Sequence, residues 1–194
     1  EEPASVLNER IMEDLSLFDT NAYRMQFTTN HDENTWNGTE YEKMGEGAKT
    51  MAVLTFTIPG MPLIYSGQEA ANNKRLSFFE KDTLDWSNIE LHDFYKNLIQ
   101  LKDENSALWN GTNGGTYQVI STNNPDKVFA FIRENEDNKV IFVGNISGEE
   151  LEIDIEFGEF AGEYTDWFTK AKVEFETSNH FSLGAWQYNI FIQK

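Results

Sequence analysis

Asn30, His31 and Asp32 close the short run "YRMQFTT", residues 23–29. A carboxylate beside an imidazole is a minimal set for acid–base or charge-stabilising chemistry. The same residues could instead end a strand in a turn, with Asp32 capping the next helix. Asp32, Glu33 and Asn34 also invite a calcium reading. The EF-hand spacing fails: Gly38 comes one position late, and Lys43 stands where the closing Glu belongs. Trp36 and Tyr41 follow in the same stretch. Their rings could stack on a sugar face or pack locally.

The elements around these residues alternate in rhythm up to about residue 110. Val6, Leu7, Ile11, Met12, Leu15 and Phe18 recur at helical spacing, which predicts an amphipathic helix over 5–18. "YRMQFTT" reads as a strand, and the segment from about 39 as a helix stopped by Pro59-Gly60. "MPLIYSG", residues 61–67, is a short apolar run of the kind expected of a strand buried on both faces. Strand, helix, strand over some 45 residues is the pattern of a right-handed parallel crossover. Ser87 and Glu90 fit a capping box for a further helix, whose stripe is Leu91, Phe94, Tyr95, Leu98 and Leu101. "NGTNGG", residues 110–115, then breaks the chain.

After the break the pattern is all β. Candidate strands are "TYQVIST", "KVFAFIR", "KVIFVGN", "LEIDIEF", "EYTDWF", "KVEFET", "HFSL" and "QYNIFIQ", separated by turn clusters such as "NNPD" and "SGEE". Eight short strands with such turns predict an antiparallel sandwich.

Bulk properties narrow the function. The 194 residues are 39% hydrophobic and 14% aromatic, enough for a packed core. Net charge is −18, from 33 acidic and 15 basic residues. Such a surface repels nucleic acid and anionic lipid, so neither is expected as a partner. With no cysteine, disulfides, thiol catalysis and cysteine-bound zinc are excluded. Asn37, Asn110 and Asn145 lie in Asn-x-Ser/Thr sites. The compartment stays open, with a periplasmic or extracellular setting favoured over a cytoplasmic one.

Two parallel strands cannot form a stable sheet alone, because their edges and faces need neighbours. The first part of the chain therefore reads as the tail of a larger α/β protein. "FTTNHD" resembles the fourth conserved region of the α-amylase family, glycoside hydrolase family 13. "GMPLIYSGQE", residues 60–69, resembles that family's eighth-strand motif, and "LSFFEKDTLDW", residues 76–86, the segment that follows it. "FYKNLIQLKDENSALWNG", residues 94–111, is similar to the last barrel helix and its exit into a C-terminal β domain.

The resemblance implies the last βα units of a TIM (β/α)8 barrel over 1–110, then an antiparallel Greek-key β-sandwich over 111–194. It implies a retaining enzyme acting on α-glucosidic bonds in starch-like glucans, with three carboxylates. Asp32 matches the carboxylate that stabilises the transition state, and His31 the neighbouring imidazole that holds the same sugar. Trp36 and Tyr41 become candidate substrate contacts, and α-glucans or maltooligosaccharides the expected ligands. No cofactor is evident; calcium stays open for a parent enzyme. The family nucleophile lies in a Gly-x-Arg-x-Asp context and the acid Glu ends another strand, both well before "FTTNHD". Only 26 residues precede that motif here, and no Arg-x-Asp occurs. The expectation is a piece that is inactive alone and needs the remainder of the barrel as partner, its bare apolar faces prone to self-association. The competing expectations are a non-catalytic carbohydrate-binding or structural β module, and a subunit that completes a barrel in trans.

Overall fold

A computed structural model of the chain describes residues 3–136 and 138–194. Helix α1 spans Ala4–Leu17. Strand β1, Met25–Gln26, pairs in parallel with β2, Met61–Pro62, in the register Met25 to Met61 and Gln26 to Pro62. Between them come a π-helical turn Glu33–Asn37, helix α2 Glu40–Met44 and helix α3 Ala48–Thr57. The expected strand–helix–strand unit is therefore present and parallel.

Its strands are shorter and barer than the sequence suggests. Among the described residues β1 and β2 pair only with each other. Met25 and Met61 are exposed, and residues 62–65 are half-buried. The double-sided burial expected of "MPLIYSG" is not found. A parallel strand is buried by strands on both edges and helices on both faces, and here one edge and part of each face are unfilled. Helix α1 shows the same effect: Ile11 is buried, whereas Met12, Leu15 and Leu17 are exposed.

Helix α4 runs from His92 to Glu104 and buries Tyr95, Leu98 and Leu101, as its stripe predicts. Its start differs from expectation. No side chain caps it, and the Ser87 amide donates instead to Asp85 Oδ1 at 2.9 Å, so the Ser87–Glu90 box does not form. A capping box does form at α2, where Thr39 and Glu42 exchange side-chain and backbone bonds.

The remaining strands are β3 Thr116–Val119, β4 Ser121–Thr122, β5 Val128–Glu134, β6 Lys139–Asn145, β7 Leu151–Glu156, β8 Gly162–Asp166, β9 Lys172–Phe175, β10 Ser178–Leu183 and β11 Tyr188–Gln193. They form two antiparallel sheets, ordered β3-β5-β6-β11-β8-β9 and β10-β7-β4. The ninth strand arises because "TYQVIST" breaks at buried Ile120, sending β3 to one sheet and β4 to the other. Ile132, Ile141 and Val143 of the larger sheet meet Ile153, Ile155 and Leu183 of the smaller one. The opposite face of the larger sheet carries Phe129, Phe131 and Phe142, which join Leu98, Leu101 and Leu108 in a second core. Asn145 is fully buried, and its amide donates to the carbonyls of Glu149 and Gly184. It cannot carry a glycan in the folded chain.

Two polar devices join the halves. Buried Arg133, on β5, donates to the carbonyls of Thr57, Trp109, Gly115 and Thr116, and among the described residues meets no carboxylate. Trp186, in left-handed backbone at φ 55°, lays its indole over Gly47; a Cβ there would come within 2.7 Å of ring carbon Cε3. The Thr50 hydroxyl donates to the Trp186 carbonyl.

Candidate active-site residues beside the parallel strand pair

The chain leaving β1 is anchored from below. Thr28 and Thr29 are buried, and the Thr28 hydroxyl lies 2.5 Å from Glu40 Oε2. The Gln68 amide reaches Glu40 Oε2 at 2.7 Å, Thr28 Oγ1 at 2.9 Å and Tyr95 Oη at 3.0 Å. An amide has two protons and cannot donate to all three oxygens at once; the Thr28 hydroxyl supplies its own hydrogen bond to the carboxylate. Desolvation pushes the Glu40 carboxyl above its usual range, opposed by its bonds to Thr28 and Gln68. Burial likewise pushes the Tyr95 phenol well up. This network ties β1, α2, the turn after β2 and α4 to one point. Gly67, at φ 95°, makes the turn that aims Gln68 inward. A side chain there would meet Leu84 at 2.7 Å, so both space and backbone select glycine.

Above the anchor the chain turns into helical backbone at His31. The cap is Asn30: its Oδ1 accepts from the Glu33 amide at 2.8 Å, and its carbonyl from the Asn34 amide at 2.9 Å. Asp32 is thereby released from the capping role that its position alone suggests. Its carboxylate is 59% exposed and stands 3.5 Å from His31 Nε2, too long for a strong hydrogen bond. The imidazole is itself exposed and stacks on Phe78, with centroids 6.1 Å apart.

The turn carrying these residues is locked to a second loop. Buried Asn34 donates to the Lys74 carbonyl at 3.2 Å and accepts from the Leu76 amide at 2.7 Å. Thr35 Oγ1 donates to the Leu76 carbonyl at 2.7 Å. The Asn34 amide group is thus engaged by backbone, and among the described residues no cluster of three or more His, Asp or Glu is arranged to hold a metal. Glu33 pairs with Lys43 at 3.3 Å and accepts from Asn37, which lowers its pKa.

Trp36 is exposed in the same turn and contacts Phe78, 5.4 Å between centroids, and Phe79, 6.3 Å. Tyr41 lies apart from that group. Its hydroxyl is buried with no hydrogen-bond partner among the described residues, and desolvation pushes its pKa up to about 12. The structure thus brings His31, Asp32 and Trp36 together around Phe78 and sets Tyr41 to one side. Arg75 pairs with Glu42 through Nε at 2.8 Å and Nη2 at 3.2 Å, and Lys74 pairs with Asp82. Glu69 buries one carboxylate oxygen. Trp167 is buried, whereas Trp86 and Trp109 are exposed. Sequence reasoning missed the Glu40–Gln68–Tyr95 anchor and the Phe78-Phe79 pair. Two adjacent phenylalanines in a polar stretch were the available signal for the latter.

Residues 117–190 match the family model "Maltogenic Amylase, C-terminal domain". Over 159 residues, 75% of the chain, the sequence is 26% identical to Alpha-amylase 2 of Dictyoglomus thermophilum, and over 144 residues 28% identical to Alpha-amylase MalA of Haloarcula japonica. These alignments cover 26% and 20% of those two proteins, so the chain spans about a quarter or less of the relatives it matches. The whole chain superposes on 46% of a noncanonic maltogenic α-amylase, AmyB of Thermotoga neapolitana, with a TM-score of 0.82 at 17% identity, a likeness of fold. The chain is thus similar to the C-terminal portion of α-amylases, in sequence over most of its length and in fold over all of it.

Proposed function

We propose that this chain supplies one carboxylate and one wall of the active site of a retaining glycoside hydrolase acting on α-glucosidic bonds in starch-like glucans. The observation that carries the reading is Asp32. It sits just past the end of a parallel strand, relieved of capping by Asn30, exposed, and beside His31. Barrel active sites form at the carboxyl ends of parallel strands. A fixed anion there favours the positive charge that develops at the anomeric carbon during glycosyl transfer. His31 holds the hydroxyls of the same sugar.

The barrel assignment has separate support. The exposed residues Met25, Met61, Met12 and Leu15 are the faces that further strands and helices of a (β/α)8 barrel would cover. Residues 1–110 then form the end of the barrel and 111–194 a Greek-key β-sandwich. The phenylalanines that the larger sheet packs against α4 favour a buttress over a free binding module. The nucleophile and general acid must come from elsewhere in the parent protein, since these 194 residues hold no Arg-x-Asp. The chain alone binds without cleaving, and the remainder of the barrel is its partner.

Acarbose tests the reading, because its basic nitrogen and flattened ring imitate the charged transition state. Asp32→Asn should weaken acarbose binding by about tenfold or more, some 1.4 kcal/mol. Calorimetry on the 194-residue chain measures this. Equal binding by the variant, or hydrolysis of maltoheptaose by the chain alone, would overturn the assignment.

A further inference from the structure

The outer face of the smaller sheet carries a charged cluster in the β half of the chain. Along β7 the residues on that face are Glu152, Asp154 and Glu156; along β10 they are Ser178, His180 and Ser182. His180 stands directly across from Asp154 in the antiparallel register. Its Nδ1 lies 2.8 Å from Asp154 Oδ1, and its Nε2 lies 2.8 Å from Glu152 Oε2. Both ring nitrogens thus meet carboxylates of the neighbouring strand. They point to opposite sides of the ring, so the three groups share no point at which a metal could sit.

A neutral imidazole has one N–H and one lone pair; only the imidazolium donates at both nitrogens. With the ring neutral, one carboxylate would face a lone pair. Glu152 and Asp154 would then stand two residues apart on one face with no cation between them. The two hydrogen bonds, that of Asp154 first and that of Glu152 second, hold the imidazole above its ordinary 6.5. Of the remaining neighbours, Glu156 accepts from the Ser178 hydroxyl at 2.7 Å. From the β4 side, the Asn123 amide donates to Asp154 Oδ2 at 3.2 Å. On the inner side of β10, Phe181 meets the rings of Phe157, Phe175 and Phe191.

Among the described residues β10 is an edge strand, joined on one side only, to β7. Such a strand has half the backbone partners of a central one and opens first. A side-chain tie from β10 to the middle strand of the sheet therefore acts where the fold is least secured. We infer that His180 is a proton-operated clamp: protonated, it ties β10 to β7 through Asp154 and Glu152 at once, and on losing its proton it releases one of them. The folded chain holds this proton more tightly than the unfolded chain does. The stabilisation is thus complete below about pH 6.5 and is lost as pH rises through the folded-state value. The outer edge of the β half is then firmest in mildly acid solution.

Nuclear magnetic resonance titration of the 194-residue chain tests the clamp. The chain has 3 histidines, and His180→Gln assigns the signal. His180 should titrate above 6.5, and Asp154→Asn and Glu152→Gln should each bring its midpoint down. Hydrogen exchange, corrected for the intrinsic effect of pH on amide rates, gives the local readout. The β10 amides should be better protected in the chain than in His180→Gln at about pH 6, with the difference gone by about pH 9. All three side chains are more than half exposed, so the variants keep the fold. A His180 midpoint at or below 6.5, or one that neither carboxylate variant moves, would overturn the clamp. So would a protection difference equal at both pH values, since packing of the ring does not depend on its proton.

Discussion

The strand pair β1–β2 and the strand pair β5–β6 have opposite fates. β5 and β6 are seven residues each and almost wholly buried. They have strands on both sides, a second sheet over one face and helices over the other. β1 and β2 shrink to two residues each, with half of those exposed. Apolarity sets what a strand can bury; only its neighbours decide what it does bury. The α/β half therefore leaves bare the kind of apolar surface that the β half covers.

Substitutions can break this comparison. The largest contrast should come from Phe131→Ala, which empties a fully buried site stacked on Phe142 at 5.2 Å. The expected cost is about 3–5 kcal/mol. Leu15→Ala, on the exposed side of α1, should cost less than about 0.5 kcal/mol. Urea unfolding followed by fluorescence measures both, and similar costs would mean that α1 is better covered than it stands here.

Arg133 probes the seam between the halves. Arg133→Ala leaves four carbonyls without their donor and should destabilise by about 2–3 kcal/mol. Arg133→Lys should recover only part, since an ammonium cannot span the fork. Full recovery by lysine would show that charge rather than geometry holds the seam.

A pH-dependent effect sharpens the picture at α4. Burial, aided by nearby Arg133, holds the Lys102 amine down to about 7, against its ordinary 10.5. Its Nζ donates to the Leu108 carbonyl at 2.5 Å. Between these two values the unfolded chain binds a proton that the folded chain does not. Stability should therefore rise with pH across that window, by at most about 1.4 kcal/mol per unit, and level off below pH 7. Lys102→Met should flatten the slope. An unchanged slope in the variant would assign it to another group.

Much of this organisation was legible in the residues. Helix α1, the stripe of α4, the stop at Pro59-Gly60 and the parallel crossover follow from spacing and turn chemistry. What failed were choices between equivalent local signals. Ser87 and Glu90 have the spacing of a capping box, but Asp85 takes the Ser87 amide first. Thr39 and Glu42 have the same spacing and do form one. The break at Ile120 was hidden because the residue is as apolar as a continuous strand requires. At the candidate site, Asp32 and His31 were readable as a motif. That Asn30 rather than Asp32 closes the turn depends on side-chain direction, which spacing does not encode.

The indole of Trp186 over Gly47 has a consequence for inheritance. Neither position can drift alone: a methyl group at 47 would strike a rigid ring, and a smaller group at 186 would open a gap over the turn before α3. Recombination that exchanges the β half for a relative's must bring in a residue that suits the glycine already present. Chimeras joined near residue 110 should therefore be screened first by the pair they create at 47 and 186.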